Sequence, residues 1–497
     1  MITTVAAGQV FQGRDARVPS GPWDAVVVGA GIYGLPTAFF LARQGGRVLV
    51  LEDNAIPGEC ITVNTGGIIR ISYSDLDVVR VAAFARRIYT RPTETLGLAR
   101  PIHLGFVRTG WGRFVNADAV PSILPEIERV AHGAAEGLRV ESRGRYVAGL
   151  PPGRRRNLAA ILDMEDVTHV LVDEDGGFAD GGTALAGLCE ACLEAGVAVS
   201  LYSTVVDFFR TGERVTGVVF DRWSRNGEER TVISRETVRA DRIILAAGRG
   251  NGALVRQVAG WEMPTFTSFH QVPYIRNASD LDFAQARYRV GEPATGWREV
   301  EASDAPVVSH WRDIYFRPEG SGLICGTHHR LLQPDDYQPA GGVIDTGSFT
   351  MRVGLDQVMV DSLLALMPHF PVLASGGLNM GRTPADIPGG SYYMNPEELP
   401  FEGEVPGTGG TVFYAGSGCG TGFKLGPGVA YLLAQRLAAV PREGRLIPSV
   451  ALSAERAPYF YPPGTTRGEL LGLFRPVAEG GRLIEMGAAG IAPGAAR

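Results

Sequence analysis

The sequence predicts an α/β fold: a Rossmann-like nucleotide-binding domain, assembled from separate stretches of chain, joined to a second domain built on an antiparallel sheet. Three observations predict it. A strand, a glycine turn, a helix and a second strand ending in acid follow one another from Asp24 to Asp53. A second glycine-rich strand-to-helix junction recurs at Gly416 to Gly422. Between them, from about Met263 to Pro371, short aromatic and β-branched runs alternate with Pro and Gly clusters, the pattern of antiparallel strands.

Along the chain, the first 22 residues are polar and small, an arm without the basic start and apolar middle of a signal peptide. Ala25 to Val28 then form an apolar strand that runs into Gly29-Ala30-Gly31-Ile32-Tyr33-Gly34. In such a GxGxxG turn the first glycine permits the tight bend and the second lets backbone approach a pyrophosphate. The third lets helix and strand pack closely, and the helix N-terminus attracts the phosphates. Glu52, with Asp53 after it, closes the second strand roughly 20 residues on, where a carboxylate holds a ribose hydroxyl pair. Pro36, taken to lie past the first helical turn, predicts a kink.

Gly181 to Gly196 has helical spacing, with Leu185, Leu188, Cys192 and Ala195 on one side. Val197 to Phe208 reads as extended and Arg214 to Phe220 as a strand, which Asn226-Gly227 turns back into Arg230 to Val238. Ala240 to Gly248 is a further apolar strand, ending in small residues as a strand that abuts a cofactor requires. Val307 to Phe316 and Gly322 to His328 are strands of the second domain. Gly410 to Ala415 is buried, and a helical run from Pro427 to Leu437 follows the second glycine loop. The expected organisation is an arm (1–22), a nucleotide-binding domain (23–75, 170–260, 377–447), a substrate domain (76–169, 261–376) and a tail (448–497).

At 497 residues the chain is long enough for two domains with substantial cores. A net charge of −6 gives no footprint for nucleic acid, and no apolar run approaches the ~20 residues that span a bilayer. The run Arg154-Arg155-Arg156 reads as a solvated loop. Five cysteines do not make a disulfide framework, which points to a reducing cytoplasm. Cys189 and Cys192 form a CxxC inside the helical pattern with no second pair, so no metal site is expected.

Three segments in matching order, VVVGAGIYG at 27, NTGGIIRISY at 64 and GSGCGTGFKLGPG at 416, carry a family likeness. The strand ADRIILAAG and the segment YFRPEGSGLICGTHH at 315 agree with it. With these, the chain resembles the D-amino-acid oxidase family of flavoproteins, in the branch of monomeric sarcosine oxidase and glycine oxidase. The resemblance implies FAD on a glutathione-reductase-type domain and oxidation of the C–N bond of an amino acid or N-substituted amino acid. It places the cofactor against Gly29, Ala30, Gly31, Ile32, Tyr33, Gly34, Glu52, Asp53, Gly66, Gly67, Ile68, Val206, Ala247, Gly248, Gly418, Gly420, Thr421, Gly422, Phe423 and Lys424. It also implies that Arg70 and Lys424 grip the substrate carboxylate, that Arg382 contributes to it, and that Tyr315 and His328 face the pocket. His329 could take the place of His328 after a register shift.

The residues alone leave open that Arg70 is a surface helix residue paired with Asp75 or Asp77. An arginine does suit the role, since its planar fork binds carboxylate bidentately, and a lysine adds a compact second charge. Two departures qualify the likeness. Sarcosine oxidases attach flavin through a cysteine where this chain has Gly377-Leu378-Asn379-Met380, so noncovalent FAD is expected. Their lysine implicated in reaction with oxygen corresponds to Ile324, so the acceptor is oxygen or another electron acceptor. Trp111, His103 and many arginines between residues 75 and 170 suggest a substrate larger than glycine. The competing functions are a flavin monooxygenase, which would end in a Gly-Asp-Ala motif where Gly416-Ser417-Gly418 stands, and a non-catalytic FAD-binding protein.

Overall fold

The structure is a computed structural model. It describes residues 21–59, 61–63, 65–133, 137–152, 154–155, 158, 165–226, 229–271, 274–275, 307–311, 314–319, 322–327, 331–334, 389–438, 446–447, 460–466, 469–470 and 484–485. The elements that position the site are, in chain order, β1 (Trp23–Val28), α1 (Gly34–Arg43), β2 (Val48–Leu51), β3 (Ile68–Ile69), α2 (Leu76–Thr90), β4 (Trp111–Asn116), α3 (Val120–Gly133), β5 (Val167–Asp173), β6 (Gly177–Ala179), α4 (Gly181–Glu194), β7 (Glu229–Leu245), β8 (Val307–Trp311), β9 (Ile314–Glu319), β10 (Gly322–Thr327), β11 (Val412–Gly416) and α5 (Gly422–Leu437).

The nucleotide domain is built on parallel strands. β1 pairs with β2 on one side and with the end of β7 on the other, and β7 pairs in turn with β11. These strands read as continuous apolar runs because both faces are covered. Val27 and Val50 face a core shared with α1, α2, α4 and α5, whereas Val26, Leu49 and Leu51 face one shared with Val255 and Val258 of a helix at Asn251–Ala259. The core that includes Ile69 and Ile71 continues into Val78, Val81 and Phe84 of α2, across the boundary expected at residue 75.

The elements depart from the sequence expectation in four places. Arg230–Val238 and Ala240–Gly248 are not two strands: β7 is a single strand of 17 residues. Its pairing passes without a break from Gly217↔Arg239 to Trp23↔Ala240, so one strand serves an antiparallel hairpin and then the parallel core. The extended run 197–208 is divided into Ala198–Ser200 and Ser203–Thr211 around Tyr202, whose φ is 53°. Pro36 does not kink α1. The helix begins at Gly34, which puts Pro36 in the first turn, where no intrahelical N–H is needed. The last helix, α5, begins at Gly422, within the second glycine loop and ahead of Pro427.

The expected hairpin is present, with Asn226 opposite Glu229; residues 227 and 228 lie outside the described residues. In α4, Leu185, Leu188, Cys189 and Cys192 are all buried, and Cys192 Sγ donates to Leu35 O at 3.2 Å. Burial pushes both thiols well up. Among the described residues no group of His, Cys, Asp and Glu is placed to hold a metal, and no helix is long and apolar enough to cross a membrane.

The second domain is a seven-stranded sheet in the order Tyr274–Ile275, β10, β9, β8, β4, β5, Leu138–Ser142. Neighbours are antiparallel except for β8 and β4. β3 and β6 form, with Phe106–Arg108, a small sheet at the join between the domains. Of the expected N-terminal arm, residues 1–20 lie outside the described residues, as does most of the tail beyond 447.

Candidate active site

The first glycine turn is set by sterics. Gly29 has φ +102°, and a Cβ there would lie 2.6 Å from Ala246 O. At Gly34 a Cβ would lie 1.9 Å from Gly29 O, which only glycine avoids as α1 packs on the end of β1. Gly31 is different: within 4 Å its Cβ would meet only Thr62 Oγ1, at 3.4 Å, so one side of the turn stands open among the described residues. Thr62 Oγ1 also accepts from Ile32 N at 3.3 Å. No acidic residue lies in the first turn of α1 to oppose an anion there.

Glu52 follows β2 and is buried. Its carboxylate accepts from Ala30 N at 2.7 Å and from Asn54 N at 2.9 Å, tying the second strand to the glycine turn. Burial pushes its carboxyl up to about 7, although the bonds from Ala30 and Asn54 pull the other way. Asp53 is engaged differently, by Arg230 at 3.2 Å and by the Thr204 hydroxyl. Val206 gives its carbonyl to Gln257 Nε2 at 2.5 Å. Ala247 N donates to Asn251 Oδ1 at 2.8 Å, and Gly248 follows at φ +58°.

The second glycine junction uses side chains. Ser417 and Cys419 both have positive φ, 58° and 47°. Asn395 holds them: its Nδ2 donates to Ser417 Oγ at 2.9 Å and its backbone N to Cys419 Sγ at 3.2 Å. Thr421 N and Oγ1 both reach Gly418 O at 2.6 Å. Tyr33, from the first turn, lies against this loop, with its hydroxyl 3.0 Å from where a Cβ of Gly418 or Gly422 would be. That hydroxyl is buried without a hydrogen-bond partner among the described residues.

α5 starts on this loop and carries Lys424, whose Nζ donates to Gly420 O at 3.2 Å. Pro427 has no N–H for Phe423 O, four residues back, and Tyr89 Oη of α2 donates to that carbonyl at 2.5 Å instead.

Arg70 leaves the end of β3. It is not a surface helix residue: Asp75 caps α2, accepting from Asp77 N at 2.8 Å, and Asp77 pairs with Arg80 at 2.6 Å. The Arg70 guanidinium lies over the rings of Tyr73 at 4.6 Å and Trp111 at 5.2 Å, and donates to Ser72 O. Behind it, buried Asp173 accepts from Ile71 N at 3.2 Å and pairs with Arg86 at 2.5 Å. Lys424 is buried, and its pKa is held well below the usual value, by burial first and then by the Arg70 charge. Burial likewise lowers Arg70. The two cations expected to act together are therefore electrostatic neighbours.

Strand register brings the second domain to the same place. Gly112 and Phe316 are both paired with the same residue of β8, Val308, and so share one face of the sheet. Trp111, Tyr315 and Arg317 consequently share the other. Arg317 Nε donates to Gly66 O at 2.6 Å and its guanidinium covers Phe178 of β6 at 4.4 Å, which places that face against the Gly66–Gly67–Ile68 segment. Tyr315 is buried there. Ile324 lies directly opposite Arg317, so a cation stands beside the position where the sequence shows none. His328, His329, Arg382 and the 377–380 segment lie outside the described residues.

The sequence did not single out Thr62, Asp173, Arg86, Arg317, Asn395 or Tyr89. Only Asp173, ending the apolar strand VTHVLVD much as Glu52 follows VLVL, carries a local signal. The residues present fit a dinucleotide with a ring system at its far end. The open side of Gly31 and the N-terminus of α1 suit its phosphates, Glu52 its ribose, and the orphan Tyr33 hydroxyl lies where the two glycine junctions meet.

Residues 24–436 match the family model described as DAO, FAD dependent oxidoreductase. Over 253 residues the chain is 25% identical to the sarcosine oxidase subunit beta of Arthrobacter sp, a match covering 50% of this chain and 56% of that protein. The chain thus spans a little over half of that relative's length. The fold is similar to L-proline dehydrogenase from P. horikoshii, with TM-score 0.60, 16% identity and coverage of 84% of this chain and 94% of that one. It is similar as well to glycine oxidase from Geobacillus kaustophilus, with TM-score 0.57, 18% identity and coverage of 84% and 95%.

Proposed function

The chain belongs to the DAO family of FAD-dependent oxidoreductases, and from that premise we propose that it oxidises the C–N bond of a carboxylated amine, an amino acid or N-substituted amino acid, to an imine. The observation that carries this reading is Arg70, half-buried and stacked on Trp111 and Tyr73 after β3, whose charge is felt at buried Lys424 of α5. Arg70 is pre-aimed by stacking on Trp111 and Tyr73, so little side-chain freedom is lost when it takes up a carboxylate. Lys424 is destabilised as a cation by burial and by Arg70, and an arriving carboxylate relieves both. Holding the carboxylate fixes the neighbouring carbon, which is catalysis by positioning.

Bound FAD, which we infer to be noncovalent, supplies the hydride acceptor. The same two cations lower the pKa of the bound ammonium by like-charge repulsion, so that it gives its proton to water and frees the nitrogen lone pair that assists hydride departure. Tyr315 borders the pocket from the sheet, and the electrons leave to oxygen or another acceptor. The names of the relatives, which refer to sarcosine, proline and glycine, support a small amino-acid-like substrate.

Anaerobic mixing of the purified holoprotein with a panel of carboxylated amines tests this. At least one should bleach the flavin. Truncating one partner of such a buried charge site costs about 2–5 kcal/mol, so Arg70→Met and Lys424→Met should each lower kcat/KM by roughly 30-fold or more. Absence of bleaching by every amine, or normal kinetics in both variants, overturns the reading.

A further inference from the structure

Arg113 lies two residues beyond Trp111 on β4 and so on the same face of the sheet as Trp111 and Tyr315, about 7 Å along the strand. Its ionic partner among the described residues is Glu126 of α3, at 3.6 Å, longer than a hydrogen bond; the Arg113 and Glu126 side chains are 21% and 40% exposed. Its Nε is buried and makes no hydrogen bond to any described residue. A buried N–H left unused is costly unless something else completes it, even on a side chain that is partly exposed. The Arg70 charge is felt at Arg113: burial is the largest influence lowering the Arg113 pKa, and Arg70 adds to it against Glu126.

The local charge balance points the same way. Lys424 and Arg113 both feel the Arg70 charge, while the buried carboxylate nearby, Asp173, is engaged by Arg86 at 2.5 Å. One substrate carboxylate answers the Arg70–Lys424 pair and leaves Arg113 with only its loose contact to Glu126. Arg235, by contrast, has its fork closed on Asp221 at 2.6 and 2.8 Å.

We propose that Arg113 is a specificity-determining residue that binds a second carboxylate of the substrate, so that the preferred substrate class is a dicarboxylic amine. The proposal rests on the assignment of Arg70 and Lys424 as the first carboxylate anchor. On binding, the second carboxylate closes the Arg113 fork and displaces Glu126, which relaxes toward solvent.

Calorimetric titration of the holoprotein with unreactive probes tests this apart from any turnover. Succinate should bind at least about tenfold more tightly than propionate, the change that about 1.4 kcal/mol gives. Arg113→Met should bring succinate down to the affinity of propionate, and Arg113→Lys should retain part of the difference. Glu126→Gln, at a half-exposed position, should tighten succinate several-fold by removing the competing carboxylate, and it decides the matter if the Arg113 variants fold poorly. Equal binding of the two acids, no succinate binding, an undiminished preference in Arg113→Met, or no response to Glu126→Gln overturns the proposal, Arg113 then being a structural partner of Glu126. If the succinate preference holds while no amine reduces the flavin, Arg113 stands and the oxidation of amines falls.

Discussion

The two glycine-rich strand-to-helix junctions look alike in sequence and are held by different forces. At Gly29–Gly34 the backbone itself sets the shape, since a Cβ at Gly34 would come within 1.9 Å of Gly29 O. At Gly416–Gly422 two residues with side chains occupy left-handed conformations, and Asn395, remote in sequence, secures them. The first junction is excluded from alternatives by repulsion. The second is selected among alternatives by hydrogen bonds. Repulsion of this kind tolerates no substitution, whereas a hydrogen-bonded loop loses stability in steps.

The sharpest way to break this comparison is Gly34→Ala. The added methyl has no flexible neighbour to displace, only backbone, and the cost should be at least about 3 kcal/mol, the upper end for overpacking. Loss of soluble, flavin-retaining protein is the expected outcome; an unchanged unfolding midpoint would mean the turn is far softer than its geometry implies.

Glu52→Gln comes next and separates charge from shape. In the fold this carboxyl is raised from 4.5 to about 7. Below pH 4.5 it is protonated in both folded and unfolded chains and costs nothing. As pH rises from 4.5 through about 7 the unfolded chain releases the proton first, so the fold loses stability, by up to about 3 kcal/mol. Urea unfolding of the flavin-free protein across that window should show the wild type falling relative to Glu52→Gln, with the difference levelling above about pH 7. A difference that grows in wild type's favour would contradict it.

The smallest effect is expected at the second junction. Asn395→Ala removes the donors to Ser417 Oγ and Leu399 O and should cost about 1–3 kcal/mol, read as a lowered unfolding midpoint in a protein that still folds. A loss as complete as that of Gly34→Ala would erase the distinction between the junctions.

That distinction also explains how far the sequence could be read. The strand, turn and acid around Gly29 and Glu52 are legible because glycines at fixed offsets and an acid ending the next strand recur as one pattern, although Glu52 meets Ala30 from 22 residues away. Arg70 and Lys424 emerge through family likeness, and the structure makes them electrostatic neighbours. Arg317 and Tyr89 act on partners far along the chain, and Asn395, no farther from Ser417 than Glu52 is from Ala30, belongs to no recurring pattern that announces it. The kink expected at Pro36 fails for the same reason: whether a proline disrupts a helix depends on where the first turn begins, which the glycines and not the proline decide. The division of β7 was misplaced because Arg239 and Ala240 exchange one pairing partner for another without any change of backbone direction.

The hydroxyl of Tyr89 ties two positions together in descent. Pro427 leaves Phe423's carbonyl open, and Tyr89 closes it from another helix. The turn that presents Lys424 is therefore registered by a hydroxyl donated across the core. A residue with its own N–H at position 427 would give that carbonyl a second donor and make the Tyr89 hydroxyl dispensable, while loss of that hydroxyl beside Pro427 would leave the carbonyl without either donor. Loss of the hydroxyl first leaves a buried carbonyl unanswered, at about 1–3 kcal/mol, and replacing Pro427 beforehand avoids that cost. Positions 89 and 427 are expected to travel together through inheritance, one mutation waiting on the other.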